Sequence, residues 1–158
     1  EFRRVRNQVT QRVRRFEQCL EVVKRLWTED TVTVDNDVCT LSAVTLTCRP
    51  VQRPHPPIWV AANSDQAVRR AARVGDTWFI NPHATMTTIT RQMQLYRAEL
   101  ARVGKPFPRV LPIFKEIFCA RDTATALEMA GPYLASKYRV YASWGQDAVM
   151  PGEETEVE

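Results

Sequence analysis

Apolar residues recur at Phe2, Val5, Val9, Val13, Phe16, Leu20, Val23 and Trp27, in steps of three and four. That spacing puts them on one face of a helix and predicts one long helix, ending at Thr28-Glu29-Asp30. Glu21 and Arg25 stand four apart on it and are expected to pair. The period then shortens. Thr31-Val32-Thr33-Val34 is β-rich, Asp35-Asn36-Asp37 can turn the chain, and Val38 to Leu41 can return as a second short strand. Val44, Leu46 and Cys48 alternate with threonines and suggest one more extended piece. This region reads as an excursion outside a main sheet.

The main rhythm follows a stretch stiffened by Pro50, Pro54, Pro56 and Pro57, each of which biases its neighbour toward extended geometry. Ile58 to Ala62 is an apolar run suited to a buried parallel strand. Ser64 is a good N-cap with Asp65 in the first turn, Ala67, Val68, Ala71, Ala72 and Val74 form a helix face, and Gly75 is a natural C′ residue. Thr77 to Ile80 is a second strand closed by Asn81-Pro82. Met86, Ile89, Met93, Tyr96, Leu100 and Val103 predict another helix, stopped by Gly104, Pro106 and Pro108. Val110 to Ala120 is expected as a third strand, with Pro112 near its start. Asp122 or Thr123 caps a last helix whose core candidates are Ala126, Leu127, Ala130, Tyr133, Leu134, Tyr138 and Tyr141, and Pro132 should kink or restart it. The glutamate-rich tail from Pro151 to Glu158 is expected to fray.

Strand then helix, three times over, is the signature of an α/β fold with a parallel sheet and crossover helices. Three strands make a thin sheet for these helices, and a closed β/α barrel needs about 200–250 residues. The chain has 158 and begins with Glu1, so it reads as part of a larger domain.

Composition changes little in that picture. Apolar content of 44% and charged content of 25% are those of a globular protein in water, and no apolar run approaches the ~18 residues of a membrane span. Cys19, Cys39, Cys48 and Cys119 form no C-x-x-C pair, and neither histidine stands at ligand spacing from one, which argues against a zinc site. They read as buried, reduced thiols of a cytoplasmic protein. Arg3, Arg4, Arg6, Arg12, Arg14 and Arg15 could serve a polyanion-binding arm. The regular apolar stripe threading them favours the solvated face of an amphipathic helix and argues against nucleic acid as a partner.

Four segments in order resemble the bacterial luciferase-like flavin-dependent monooxygenase family. Arg15 to Glu21 with Arg25-Leu26-Trp27-Thr28-Glu29 is similar to the helix those proteins carry before strand five. Arg49 to Val60 is similar to their approach to strand five, and Ala67 to Trp78 to their next helix and the start of strand six. Tyr138 to Gly145, ending Ala142-Ser143-Trp144-Gly145, is similar to the segment after strand seven. The resemblance implies a partial (β/α)8 TIM barrel, with residues 1–158 supplying strands five to seven and their helices as the C-terminal portion of one incomplete domain. Strands one to four would precede Glu1 and strand eight would follow Glu158.

The family binds flavin phosphate in part at the end of strand five, which maps onto Ala62, Asn63 and Ser64. A helix start offers free N–H groups with partial positive charge, a serine adds a hydroxyl donor, and small residues let an anion approach. Many relatives have glycines where this chain has Ala61 and Ala62, and Ser64 also has a purely capping role open to it. Asn81, His55, His83, Lys115 and Glu116 are weaker candidates on loops or strand seven, and Trp59 and Trp78 read as packing residues. No catalytic residue is assigned. The expected activity is that of a flavin-dependent oxidoreductase or monooxygenase acting on a small organic substrate with reduced FMN and O₂. The alternatives are a deazaflavin-dependent hydride-transfer enzyme of the same fold, a polyanion-binding module, or a truncated chain inactive by itself. Flavin and substrate are the expected partners of the intact protein, a homo-oligomer is left open, and no membrane is expected.

Overall fold

The computed structural model describes residues 11–82 and 84–145. It divides between Pro57 and Ile58 into two compact units.

In the first unit the predicted long helix is α1 (Arg12–Thr28). Its first apolar positions, Phe2, Val5 and Val9, lie outside the described residues, as do Arg3, Arg4 and Arg6. Val22 is the buried residue of α1, while Val13 and Phe16 on the expected stripe are exposed. The hairpin that α1 meets is too short to cover a helix of 17 residues. It consists of β1 (Val32–Asp35) and β2 (Thr40–Val44), paired antiparallel. Asn36 closes its turn by accepting from the N–H groups of Val38 (2.8 Å) and Cys39 (3.1 Å). Val32 is fully buried. Of the extended piece expected over Val44 to Cys48, only Val44 is in a strand, as the last residue of β2. Arg25 makes its hydrogen bonds to Glu29, at 2.7 and 2.9 Å, and Glu21, the expected partner, acts on it through charge alone.

The second unit carries the βαβ rhythm. β3 (Trp59–Ala61) and β4 (Thr77–Phe79) are parallel neighbours joined by α2 (Asp65–Val74). Register pairs Val60 with Trp78, and both are buried with Val68, Ala71 and Ala72 of α2. Ile89, Tyr96 and Leu100 of α3 (Met86–Arg102) complete this core. Trp78 donates its backbone N–H to the Tyr96 hydroxyl at 3.2 Å, and the two rings lie 5.7 Å apart. Trp78 is thus a packing residue, as its sequence context indicates. Trp59, Ala61 and Phe79 project from the opposite side of the sheet. There Trp59 is 54% exposed and stacks on Phe79.

Gly75 ends α2 for a reason other than the expected one. Its φ is −93°, accessible to any residue. A Cβ there would lie 2.7 Å from Val60 Cγ2 and 3.0 Å from the Ala71 carbonyl oxygen, so the need is for space. Gly104, at φ +70°, does supply the left-handed stop after α3.

Two expectations fail in the C-terminal part. The third strand shrinks to one parallel bridge, Ile80 with Ile113, held by Ile80 N–H to the Pro112 carbonyl (2.9 Å) and Phe114 N–H to the Ile80 carbonyl (3.0 Å). Pro112, within this segment, removes one ladder donor. The last helix, α4 (Thr123–Ser143), is capped by Asp122, which accepts from Thr125 N–H at 2.8 Å, and runs as one element through Pro132. None of its described residues is buried, with Leu127 at 67% and Tyr133 at 79% exposure. Its apolar stripe is real, yet the segment beside it is too short a strand to cover it. The cysteines also differ from expectation. All four are free, but Cys19, Cys48 and Cys119 are exposed and Cys39 is half-buried, because they lie on the outer face of α1 or in connecting segments.

Candidate functional site

The C-terminal ends of β3 and β4 converge on the turn Ala62-Asn63-Ser64. Ala62 is buried, and its carbonyl accepts from Trp78 Nε1 at 3.0 Å, which fixes the residue just after the strand against the core. Asn63 is held at both ends: its side-chain oxygen accepts from Asn81 Nδ2, and its carbonyl accepts from Gln92 Nε2 at 2.6 Å. Ser64 caps α2, its Oγ accepting from Ala67 N–H at 3.4 Å, and its hydroxyl hydrogen has no acceptor among the described residues. The N–H groups of the first turn before Ala67 have no partner within the helix.

Asp65 places a carboxylate on that turn, which by itself would repel an anion. Arg91 grips it with two bonds, at 2.7 and 2.9 Å, and Gln92 Nε2 adds a third at 3.1 Å. The Arg91 hydrogen bond is the main cause that holds the Asp65 carboxyl below its usual range. The charge is thereby cancelled locally, and the carboxylate is directed to α3.

The structure therefore brings Ala62, Asn63, Ser64 and Asn81 together. Lys115 ties the following segment to the same end of the sheet, donating to the carbonyls of Pro82 (3.2 Å) and Ala84 (2.6 Å). Glu116 is engaged elsewhere, by the Tyr138 hydroxyl at 3.0 Å and by the Lys137 ammonium. His55 belongs to the first unit, with Nδ1 2.9 Å from the Pro56 carbonyl and its ring near Trp27. His83 lies outside the described residues. Arg91 and Gln92 were missed in the sequence. Gln92 had a readable signal, being a polar residue on the α3 stripe between Ile89 and Tyr96.

A groove of about 420 Å³ lies between the segment around Ile117 and Phe118 and the helix residues Met129, Tyr133 and Leu134. Its one charged lining residue, Glu116, is already paired.

The site has small residues, a capped helix start, a hydroxyl and a neutralised carboxylate at the ends of parallel strands. It defines the class, an α/β protein in which a capped helix start stands at the C-terminal ends of two parallel strands. The family follows from comparison. The chain matches the luciferase-like monooxygenase family over residues 1–156 and belongs to it. It is 34% identical, over 94 residues, to the FMNH2-dependent dimethylsulfone monooxygenase of Pseudomonas putida, covering 60% of this chain and 26% of that protein. Among solved structures it resembles monooxygenase RslO1 from Streptomyces bottropensis, with TM-score 0.73 and 27% identity over 90% of this chain and 44% of that one. It shares its fold with an F420-dependent secondary alcohol dehydrogenase solved with an F420-acetone adduct, with TM-score 0.65 and 19% identity over 82% of this chain and 40% of that one. The chain thus spans less than half the length of each of these proteins. Among the described residues no helix is long and apolar enough to cross a membrane.

Proposed function

We propose that this chain is an arc of a (β/α)8 barrel, contributing strands five to seven to a flavin-dependent monooxygenase, and that Ala62, Asn63 and Ser64 hold the FMN phosphate. The observation that carries the reading is the doubly anchored Asn63 at the start of α2. A turn held by Asn81 and Gln92 keeps its shape without a ligand, which lowers the ordering cost of binding one. The sheet supports the barrel reading. Parallel strands are ordinarily covered on both faces, and here one face leaves Trp59 54% exposed, stacked on a half-buried Phe79.

Reduced FMN, when bound, would supply the electrons and activate O₂ for oxygenation of a small organic substrate. This chain's own part is binding and orientation. Ser64 donates its hydroxyl hydrogen to the phosphate, the first-turn N–H groups add their partial charge, and Arg91 suppresses repulsion from Asp65. By itself the chain is expected to lack activity, because the other strands would complete the pocket.

The test is made on the full-length protein. Reduced FMN with O₂ should support oxygenation of small organic substrates, and FMN should remain with the protein through gel filtration. Anaerobic turnover with a reduced deazaflavin and no use of FMN would instead place it with the hydride-transfer enzymes of this fold. Retention of neither cofactor would overturn the reading.

A further inference from the structure

We infer that Gln92 is a positioning residue that shapes the Ala62–Asp65 turn for anion binding, an inference that rests on the phosphate reading above. Gln92 is fully buried on α3, in line with Ile89 and Tyr96. Its amide has two hydrogens, and both go to the same turn: one to the Asn63 carbonyl at 2.6 Å, the other to Asp65 Oδ1 at 3.1 Å. Its own oxygen is buried without a donor among the described residues. Burying a half-satisfied amide is unfavourable, and an apolar side chain would fill the position without that cost. The contribution of the amide is therefore in its two donated bonds.

Those bonds act on opposite needs of an anion site. The bond to Asn63 fixes the backbone at the strand end. The bond to Asp65 helps Arg91 draw the carboxylate toward α3. A released Asp65 carboxylate could accept from the first-turn N–H groups, as acidic residues at helix starts do. It would then occupy the donors that a phosphate requires and oppose it by charge. Gln92 keeps those donors available without contacting the ligand.

The experiment compares FMN with riboflavin, which lacks the phosphate, in fluorescence titrations of the full-length protein. Gln92→Met should weaken FMN by about tenfold, the weight of one charge-assisted hydrogen bond, and riboflavin by less than about twofold. Adding Asp65→Asn to Gln92→Met should restore part of the FMN affinity, because the competing charge is gone. Without cofactor, amide exchange at residues 62–66 should rise in the variant while the far end of α3 is unchanged. Gln92→Asn, which keeps the amide but shortens its reach, should show the same order if the methionine variant folds poorly. Equal losses for FMN and riboflavin, or unchanged exchange at the turn, would overturn the inference while leaving the phosphate site standing. A wild-type protein that binds riboflavin as tightly as FMN would remove the phosphate reading and this inference with it.

Discussion

Glu99 concentrates more electrostatics than any other side chain described in the second unit. Its side chain is 5% exposed and is approached by Arg102 (2.7 Å), Arg73 (3.2 Å) and Arg69 (3.8 Å). The hydrogen bond from Arg102 is the leading cause that lowers its pKa from 4.5 to about 2, with Arg73 next among the attractive causes. A carboxylate whose pKa is depressed on folding stabilises above the unfolded value and loses that contribution as pH falls through the folded one. Glu99→Gln should therefore lower stability at neutral pH by roughly 1 kcal/mol, since the arginines are 39–63% exposed and water screens them. The gap between wild type and variant should close between pH 4.5 and about 2. Thermal melts across that range check it, and a gap independent of pH would show that the carboxylate charge is not what matters. The sequence hid this cluster because Arg69 and Arg73 reach Glu99 from another helix.

At the scale of elements, capping was legible and coverage was not. Ser64 and Asp122 start α2 and α4 as their residue types indicate, and β3, β4 and α3 stand where period and punctuation put them. These features depend on neighbours within a few residues. The third strand and the core face of α4 failed because each depends on a partner element that the local pattern cannot reveal. Lys105 shows the same limit. It lies after α3, yet its ammonium donates to the carbonyls of Ala72 (3.2 Å), Arg73 (2.5 Å) and Gly75 (3.0 Å), closing the C-terminal end of α2. A cation at that end meets both the unpaired carbonyls and the negative pole of the helix. Lys105→Met should keep the aliphatic stem and lose about 1–2 kcal/mol, with amide exchange rising in the last turn of α2 before anywhere in α3. Uniform loss across both helices would mean that Lys105 acts through general packing. Likewise, residue types mark Ser64 as a cap and the family resemblance points to Ala62, Asn63 and Ser64, while the amide that holds the turn comes from a helix 29 positions away.

For the whole molecule, the proposed barrel and the exposed face of the sheet make one quantitative demand. Trp59 and Phe79 stack on the side away from α2 and α3, and Ile113, Phe114, Ile117 and Phe118, in the segment that Ile113 bridges to Ile80, have exposures of 48–85%. The sheet order is β3–β4, with Ile113 bridged beyond β4, so among the described residues the other edge of β3 is unpaired. Unpaired edges and contiguous apolar surface favour association between chains. If other strands cover this face in a longer polypeptide, the same substitution should have opposite effects in the two contexts. In the isolated chain, Trp59→Glu removes an adhesive group and should reduce self-association measured by light scattering during gel filtration. In the full-length protein it places a carboxylate inside a barrel and should cost about 3 kcal/mol or more in denaturant unfolding. An isolated chain that is a monodisperse monomer with a cooperative melt, or a full-length protein indifferent to the change, would show that this face has no covering partner. The opposed signs matter because general destabilisation would move both measurements the same way, toward less native protein and more aggregation, whereas only a face exposed in one context and buried in the other separates them.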